Sequence, residues 1–125
     1  MAKILLMDDD PGIIKNLGIF LSERGFQIVS ASDGEEGLSV FDKEKPDLVI
    51  CDLKMPKKDG FQFLKDIRAQ RAWVPAIIIS GLNETADIMK AYKHEADYYL
   101  TKPLDLEELL KGVKIMLALA PQRKK

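Results

Sequence analysis

The chain has a single cysteine, Cys51, among its 125 residues and therefore cannot form an internal disulfide. No apolar run approaches the roughly 20 residues that a membrane-spanning helix needs, and the amino terminus runs into a short apolar segment that does not resemble a signal peptide. The 19 basic residues nearly balance the 20 acidic ones, so no net charge attracts DNA or an anionic membrane. These absences exclude a disulfide scaffold and predict a cytoplasmic protein with no direct contact to nucleic acid or membrane.

The length fits one compact domain and not two. Hydrophobic residues make up 46% of the chain, which is enough for a core. We interpret residues 1–120 as this domain, and residues 121–125 as a frayed basic tail or a linker stub.

Five short segments have the composition of β-strands and cover residues 4–7, 27–31, 48–51, 76–79 and 98–100. Four are continuous apolar runs, typical of strands buried on both faces of a parallel sheet. The second is weaker and alternating, as expected of an edge strand. Five helical patterns alternate with the strands; the first begins after an Asp10 N-cap with Pro11 at its first position and is closed by Gly25. This order predicts a doubly wound α/β domain with a five-stranded parallel sheet.

Polar residues follow the carboxyl ends of four of these strands. Asp8 and Asp9 follow the first, Asp52 the third, Ser80 the fourth and Lys102 the fifth. In open α/β sheets the functional site lies beyond the carboxyl ends of the strands. The sequence therefore predicts that these five side chains converge on one site.

Three crowded carboxylates repel one another by about 4 kcal/mol for each pair at 4 Å and an effective dielectric constant near 20. Either a pKa rises or a cation lies among them. Hard carboxylate oxygens suit Mg²⁺, which also assists phosphoryl transfer by neutralising charge. Asp52 would then be the nucleophile, and Ser80 and Lys102 would bind the oxygens of the transferred group.

Other polar or reactive side chains have simpler interpretations. Asp10 is read as a helix cap. Cys51 should face the core of an alternating strand, and His94 lies on a polar stretch of the fourth helical pattern. A single Asp at a strand end is usually a turn residue, so the functional prediction depends on the whole set.

Three segments in this order resemble the response-regulator receiver family of two-component signalling. Pro46 to Gly60, which reads PDLVICDLKMPKKDG, is similar to the family's phosphoacceptor signature. Ile4 to Asp10 resembles its acidic strand, and Ala96 to Pro103 resembles its last strand and lysine. The resemblance extends from Lys3 to about Leu119.

This resemblance implies a flavodoxin-like (βα)5 fold with strand order 2-1-3-4-5. It implies that the chain is not an enzyme beyond catalysing its own phosphoryl transfer and dephosphorylation. The implied donor is a sensor histidine kinase or a phosphotransfer protein. The implied roles are Asp52 as phosphoacceptor, Ser80 and Lys102 as phosphoryl ligands, Tyr99 as an aromatic switch, and Mg²⁺ held by Asp9, Asp52, the Lys54 backbone carbonyl and, through water, Asp8.

The resemblance also implies that an output partner or effector domain contacts the face of the fourth helix, fifth strand and fifth helix. It leaves room for a homodimer that forms on phosphorylation, and it implies a cis bond between Lys102 and Pro103.

Three alternatives stay open at this point. Asp8 and Asp10 resemble the paired aspartates of haloacid-dehalogenase-type phosphatases, in which Asp8 would be the nucleophile. The motif here continues with Pro11-Gly12, and the chain has no room for a cap domain. The domain could also be a receiver-like binding module that is never phosphorylated. A flavin-binding relative of flavodoxin is the third alternative, although carboxylates in the first loop would repel the flavin phosphate.

Overall fold

The computed structural model describes residues 2–53, 60–70, 74–80, 98–102 and 104–123. Its strands are β1 (Lys3–Met7), β2 (Gln27–Ala31), β3 (Leu48–Asp52), β4 (Ala76–Ser80) and β5 (Tyr98–Thr101), and its helices are α1 (Pro11–Ser22), α2 (Gly34–Glu44), α3 (Gly60–Ala69) and α4 (Leu106–Arg123). The fourth predicted helix falls within residues 81–97, outside the described residues, so α4 corresponds to the fifth predicted helix.

The five strands form one parallel sheet in the order β2-β1-β3-β4-β5, which confirms the predicted fold class. The register aligns Met7 with Cys51, so Asp8 and Asp52 lie side by side at the carboxyl edge. Ser80 pairs with Thr101, which places Lys102 one residue further along the same edge. The convergence predicted from the sequence therefore follows from the register.

Side chains alternate across the sheet and build a hydrophobic core on each face. Leu5 and Val49 point to the side covered by α2 and α3, where Phe63 and Ile67 are buried. Ile4 and Leu6 point to the opposite side, which α1 and α4 cover with buried residues such as Leu17, Leu21, Leu109 and Val113. Each fully buried aliphatic or aromatic side chain contributes roughly 1.5–3 kcal/mol, so the cores on both faces stabilise the sheet that carries the site.

Helix α1 begins and is closed where the sequence predicts. The Asp10 carboxylate accepts hydrogen bonds from the Gly12 and Ile13 N–H groups at 2.9 and 3.4 Å, which confirms its role as N-cap. The last residue of the helix is Ser22, and Gly25 closes the helix as predicted: the Gly25 N–H donates to the Ser22 carbonyl at 3.1 Å, and the Phe26 N–H donates to the Leu21 carbonyl at 3.3 Å. Gly25 has a φ of +92°, a left-handed conformation that glycine adopts without steric cost.

Helix α4 continues to Arg123, past Pro121, which the sequence predicts to lie in a tail. Helix ends fray, and their assignment commonly varies by one or two residues. The division between residues 1–120 and 121–125 stays a prediction. Among the helices that the structure describes, none is long and apolar enough to cross a membrane.

Candidate functional site at the carboxyl edge of the sheet

Three polar side chains are buried at the carboxyl edge. Asp8 is 7% exposed, Asp52 is 8% exposed and Ser80 is 2% exposed, and they are the buried polar side chains within the described ranges. Asp9 is exposed beside them. Burying ionisable groups is unfavourable unless partners compensate, so this concentration at one edge indicates a functional site.

Lys102 provides the compensating cation. Its Nζ lies 3.4 Å from Asp52 Oδ2 and 3.9 Å from Asp8 Oδ2, and its backbone N–H donates to the Ser80 carbonyl at 2.8 Å. At 3.4 Å the attraction between unit charges is about 5 kcal/mol at an effective dielectric constant of 20 and about 1 kcal/mol in water. The lysine side chain is 32% exposed, which favours the lower part of that range. Lys102 therefore bridges both buried carboxylates and is tethered to the Ser80 strand.

The environment of Asp8 disfavours its charge. The pKa of Asp8 is raised from 3.8 to about 6, above all by burial and to a smaller extent by the nearby Asp52 and Asp9. The Asp10 N–H, which donates to Asp8 Oδ1 at 2.9 Å, and the Lys102 charge both lower it. Crowding of the carboxylates therefore contributes to the raised pKa, as predicted, but burial contributes most, and a cation bound beside Asp8 would favour its charged form.

The three aspartates also suit a divalent cation. One carboxylate oxygen from each of Asp8, Asp9 and Asp52 lies within 4.8 Å of the other two. Mg²⁺ bonds to oxygen at 2.0–2.1 Å, so two protein ligands of one ion are at most about 4.2 Å apart. Side-chain rotations that move these oxygens by under about 1 Å would bring two of them close enough to bind the same ion. The carboxylate oxygens are hard donors of the kind that Mg²⁺ prefers. Lys54, whose carbonyl was predicted as a further ligand, lies outside the described residues.

The two tyrosines of β5 point to opposite faces of the sheet. Tyr99 is half-buried against the core shared with α2 and α3. Tyr98 packs on the other side, where its ring lies over Gly112 of α4. The fourth predicted helix and Pro103 lie outside the part of the chain that the structure describes, so the output face and the predicted cis bond stay predictions.

Two clefts give access to the site. A cleft of about 280 Å³ between α1 and the start of α4 is lined by Asp8 and Lys102 together with apolar residues such as Ile13 and Leu104. A second cleft, of about 420 Å³, reaches Asp8 and Asp9 from the side of β2. Asp8, Asp9 and Lys102 can therefore be reached from solvent by small molecules and hydrated ions.

Sequence reasoning missed the contribution of Gly60. This first residue of α3 is buried against the backbone of Asp52 and Leu53. Its N–H donates to the Leu53 carbonyl at 2.9 Å, which ties the start of α3 to the residue that follows β3. The glycine stands in the segment that carries the resemblance, but the distance to Asp52 is visible only in three dimensions.

Comparisons with known proteins agree with this geometry. A family model described as the response regulator receiver domain matches residues 4–114. The chain is 39% identical over 112 residues to the transcriptional regulatory protein GlrR of Escherichia coli, covering 90% of this chain and 25% of GlrR. It is 36% identical over 120 residues to protein PilH of Pseudomonas aeruginosa, covering 94% of this chain and 99% of PilH.

The alkaline phosphatase synthesis regulator PhoP of Bacillus subtilis is 36% identical over 92% of this chain and 48% of PhoP, so the chain spans between a quarter and a half of GlrR and PhoP. Among solved structures, the receiver domain of the Francisella response regulator 1452 superposes with a TM-score of 0.90 at 34% identity, with both chains covered completely. A two-component response regulator from Clostridium difficile gives a TM-score of 0.89 at 33% identity over 94% of this chain and 97% of the other.

Proposed function

Because this chain belongs to the response regulator receiver family, we propose that it accepts a phosphoryl group on Asp52 during two-component signalling. The observation that carries this assignment is the position of Asp52: a buried carboxylate at the end of a central strand, within 4.8 Å of two other aspartates and 3.4 Å from the Lys102 ammonium. Asp52 therefore lies between the Lys102 ammonium, which can pair with phosphoryl oxygens, and two carboxylates that can help to bind Mg²⁺.

The proposed donor is the phosphohistidine of a sensor histidine kinase or of a phosphotransfer protein. One Asp52 oxygen forms a bond to phosphorus as the bond from phosphorus to the donor's imidazole nitrogen breaks, and the imidazole leaves with the electron pair and takes up a proton. The Lys102 ammonium, which pairs with Asp52 and Asp8 beforehand, would pair with the phosphoryl oxygens afterwards. The Ser80 hydroxyl is assigned the second contact to those oxygens.

We assign Asp9, Asp52 and the Lys54 backbone carbonyl as direct ligands of Mg²⁺, with Asp8 holding a metal-bound water. When bound, the ion neutralises charge on the transferring phosphoryl group. Two features of the aspartates support this assignment. Asp9 is exposed and can turn toward a hydrated ion, whereas Asp8 is buried and its Oδ1 already accepts the Asp10 N–H.

The phosphatase alternative is disfavoured by the hydrogen bonds that the Asp10 side chain already accepts. In that reading Asp10 would be the general acid, but its Oδ1 accepts two backbone N–H groups at the start of α1. A flavin is disfavoured because its phosphate would meet Asp8 and Asp9 at the first loop. The complete set of polar residues at the strand ends argues against a module that is never phosphorylated.

We propose that the chain is a regulator which catalyses only its own phosphorylation and dephosphorylation. Phosphorylation adds roughly −1.5 to −2 charges beside Ser80 and Lys102. Tyr99, half-buried two residues before the end of β5, is assigned as the switch that passes this change to the fourth predicted helix, β5 and α4. An output partner or effector domain, or a second copy of the chain, would bind there. The buried thiol of Cys51 suits the reducing cytoplasm, where we place this exchange.

Uptake of phosphate from acetyl phosphate tests the proposal. The parent protein in Mg²⁺ should gain the mass of one phosphoryl group, and excess EDTA should prevent the gain. Asp52→Asn should gain none, whereas Asp10→Asn, which keeps a capping side chain, should behave like the parent. Equal uptake by Asp52→Asn and the parent would overturn the assignment of Asp52.

A further inference from the structure

The start of helix α3 packs directly on the backbone that carries Asp52. A Cβ atom on Gly60 would lie 2.7 Å from the Asp52 carbonyl oxygen, 3.1 Å from the Leu53 Cα and 3.2 Å from Cys51 Sγ. Ordinary contacts between such atoms are about 3.5–4.0 Å. Only a residue without a side chain fits between the helix and the strand at this point.

The backbone on the other side of this contact is held in place. The Leu53 N–H donates to the Ile79 carbonyl of β4 at 2.9 Å, and the Leu53 carbonyl accepts the Gly60 N–H at 2.9 Å. Asp52 itself is paired in register with Ile79. The backbone of Asp52 and Leu53 is thus held by β4 on one side and by α3 on the other. A methyl group at Gly60 must therefore displace either this backbone or the start of α3.

Such a displacement would also move the carboxylate of Asp52, because the carbonyl carbon and the side chain are bonded to the same Cα. Asp52 Oδ2 lies 3.4 Å from Lys102 Nζ, and the Asp52 carboxylate shares the 4.8 Å cluster with Asp8 and Asp9. The ion pair with Lys102 and the binding of a cation by the aspartates both depend on these distances. A misplacement of about 1 Å in a reacting group can slow a reaction about 100-fold.

We propose that Gly60 is a positioning residue for phosphoryl uptake: the missing side chain lets α3 seat the Asp52 backbone at the one distance that suits both Lys102 and the cation ligands. This inference rests on the proposed function of Asp52 and extends it to a residue that touches neither donor nor ion. It predicts that Gly60→Ala slows phosphoryl uptake and weakens Mg²⁺ binding by more than its loss of folding stability explains.

Gly37 of α2 provides a matched control, because it is also a buried helical glycine with no room for a side chain. A Cβ there would meet the Met7 side chain, with Sδ at 2.8 Å and Cε closer still, and Phe63 Cε1 at 3.3 Å. The flexible end of a methionine can turn aside, whereas the Asp52 backbone cannot. Gly37→Ala should therefore disturb the core without moving Asp52.

The test compares the parent, Gly60→Ala and Gly37→Ala, each as the full chain. Urea unfolding gives stability, calorimetric titration with Mg²⁺ gives cation affinity, and mass spectrometry gives the rate of phosphoryl uptake from acetyl phosphate. We expect Gly60→Ala to slow uptake at least about tenfold and to weaken Mg²⁺ binding in the folded protein, while Gly37→Ala stays within about twofold of the parent.

The outcomes distinguish a failure of the proposed function from a failure of the inference about Gly60. If the parent takes up no phosphoryl group, the proposed function fails. If the parent does so and Gly60→Ala matches Gly37→Ala in uptake and Mg²⁺ affinity, Gly60 is only structural and the inference is overturned. If Gly60→Ala does not fold, Cys51→Ala/Gly60→Ala is compared with Cys51→Ala, since losing Sγ frees space but leaves the contact with the Asp52 carbonyl. Equal uptake in that pair also overturns the inference.

Discussion

Replacing Asp8 by asparagine should stabilise the metal-free protein at neutral pH. Burial raises the pKa of Asp8 to about 6 from 3.8. The folded state keeps the Asp8 proton up to about pH 6, whereas the unfolded state releases it near pH 4, so stability is fully present below about pH 4 and is lost as pH rises through about 6. A shift of about 2 pKa units at about 1.4 kcal/mol each amounts to about 3 kcal/mol. The substituted amide would carry no such charge, and its oxygen could still accept the Asp10 N–H.

Urea unfolding in EDTA, between about pH 4 and pH 8, measures this effect. The difference between Asp8→Asn and the parent should be near zero at about pH 4 and approach about 3 kcal/mol at about pH 8. Asp9→Asn is the matched control, because this exposed neighbour has no comparable burial penalty. Saturating Mg²⁺ should narrow the difference by stabilising the parent. Parallel pH profiles for Asp8→Asn and the parent would refute the account of Asp8.

Three further changes test the site and its surroundings. Lys102→Met removes the cation 3.4 Å from Asp52 Oδ2, and uptake from acetyl phosphate should slow about 100-fold; an unchanged rate would count against its role. Tyr99→Ala should leave uptake intact and weaken phosphorylation-dependent dimerisation, measured by sedimentation; abolished uptake contradicts the switch assignment. Gly112→Ala places a Cβ 2.9 Å from the Tyr98 ring and should cost about 1–3 kcal/mol in urea unfolding relative to Gly18→Ala, whose new methyl has its nearest neighbour at 3.8 Å.

Much of the fold and the core of the site followed from local sequence patterns. Continuous apolar runs identified the central strands, and the parallel topology brings their polar carboxyl ends together. Asp8, Asp52 and Lys102 meet for this reason, and Ser80 ends the neighbouring strand β4 as Asp52 ends β3.

Features that depend on tertiary packing did not follow. The sequence Asp8-Asp9 does not reveal that Asp8 is buried while Asp9 is exposed, since that depends on how β1 is covered. The close approach of Gly60 to Asp52 arises from how α3 seats on β3.

Locating the phosphoryl group within the chain tests the central claim most directly. After incubation with Mg²⁺ and acetyl phosphate, borohydride reduction converts a phosphorylated aspartate to homoserine, which peptide mass spectrometry then places in the sequence. Our account predicts homoserine at residue 52 and an unmodified Asp8. Homoserine at residue 8, or no conversion in folded protein with Mg²⁺ present, would contradict it.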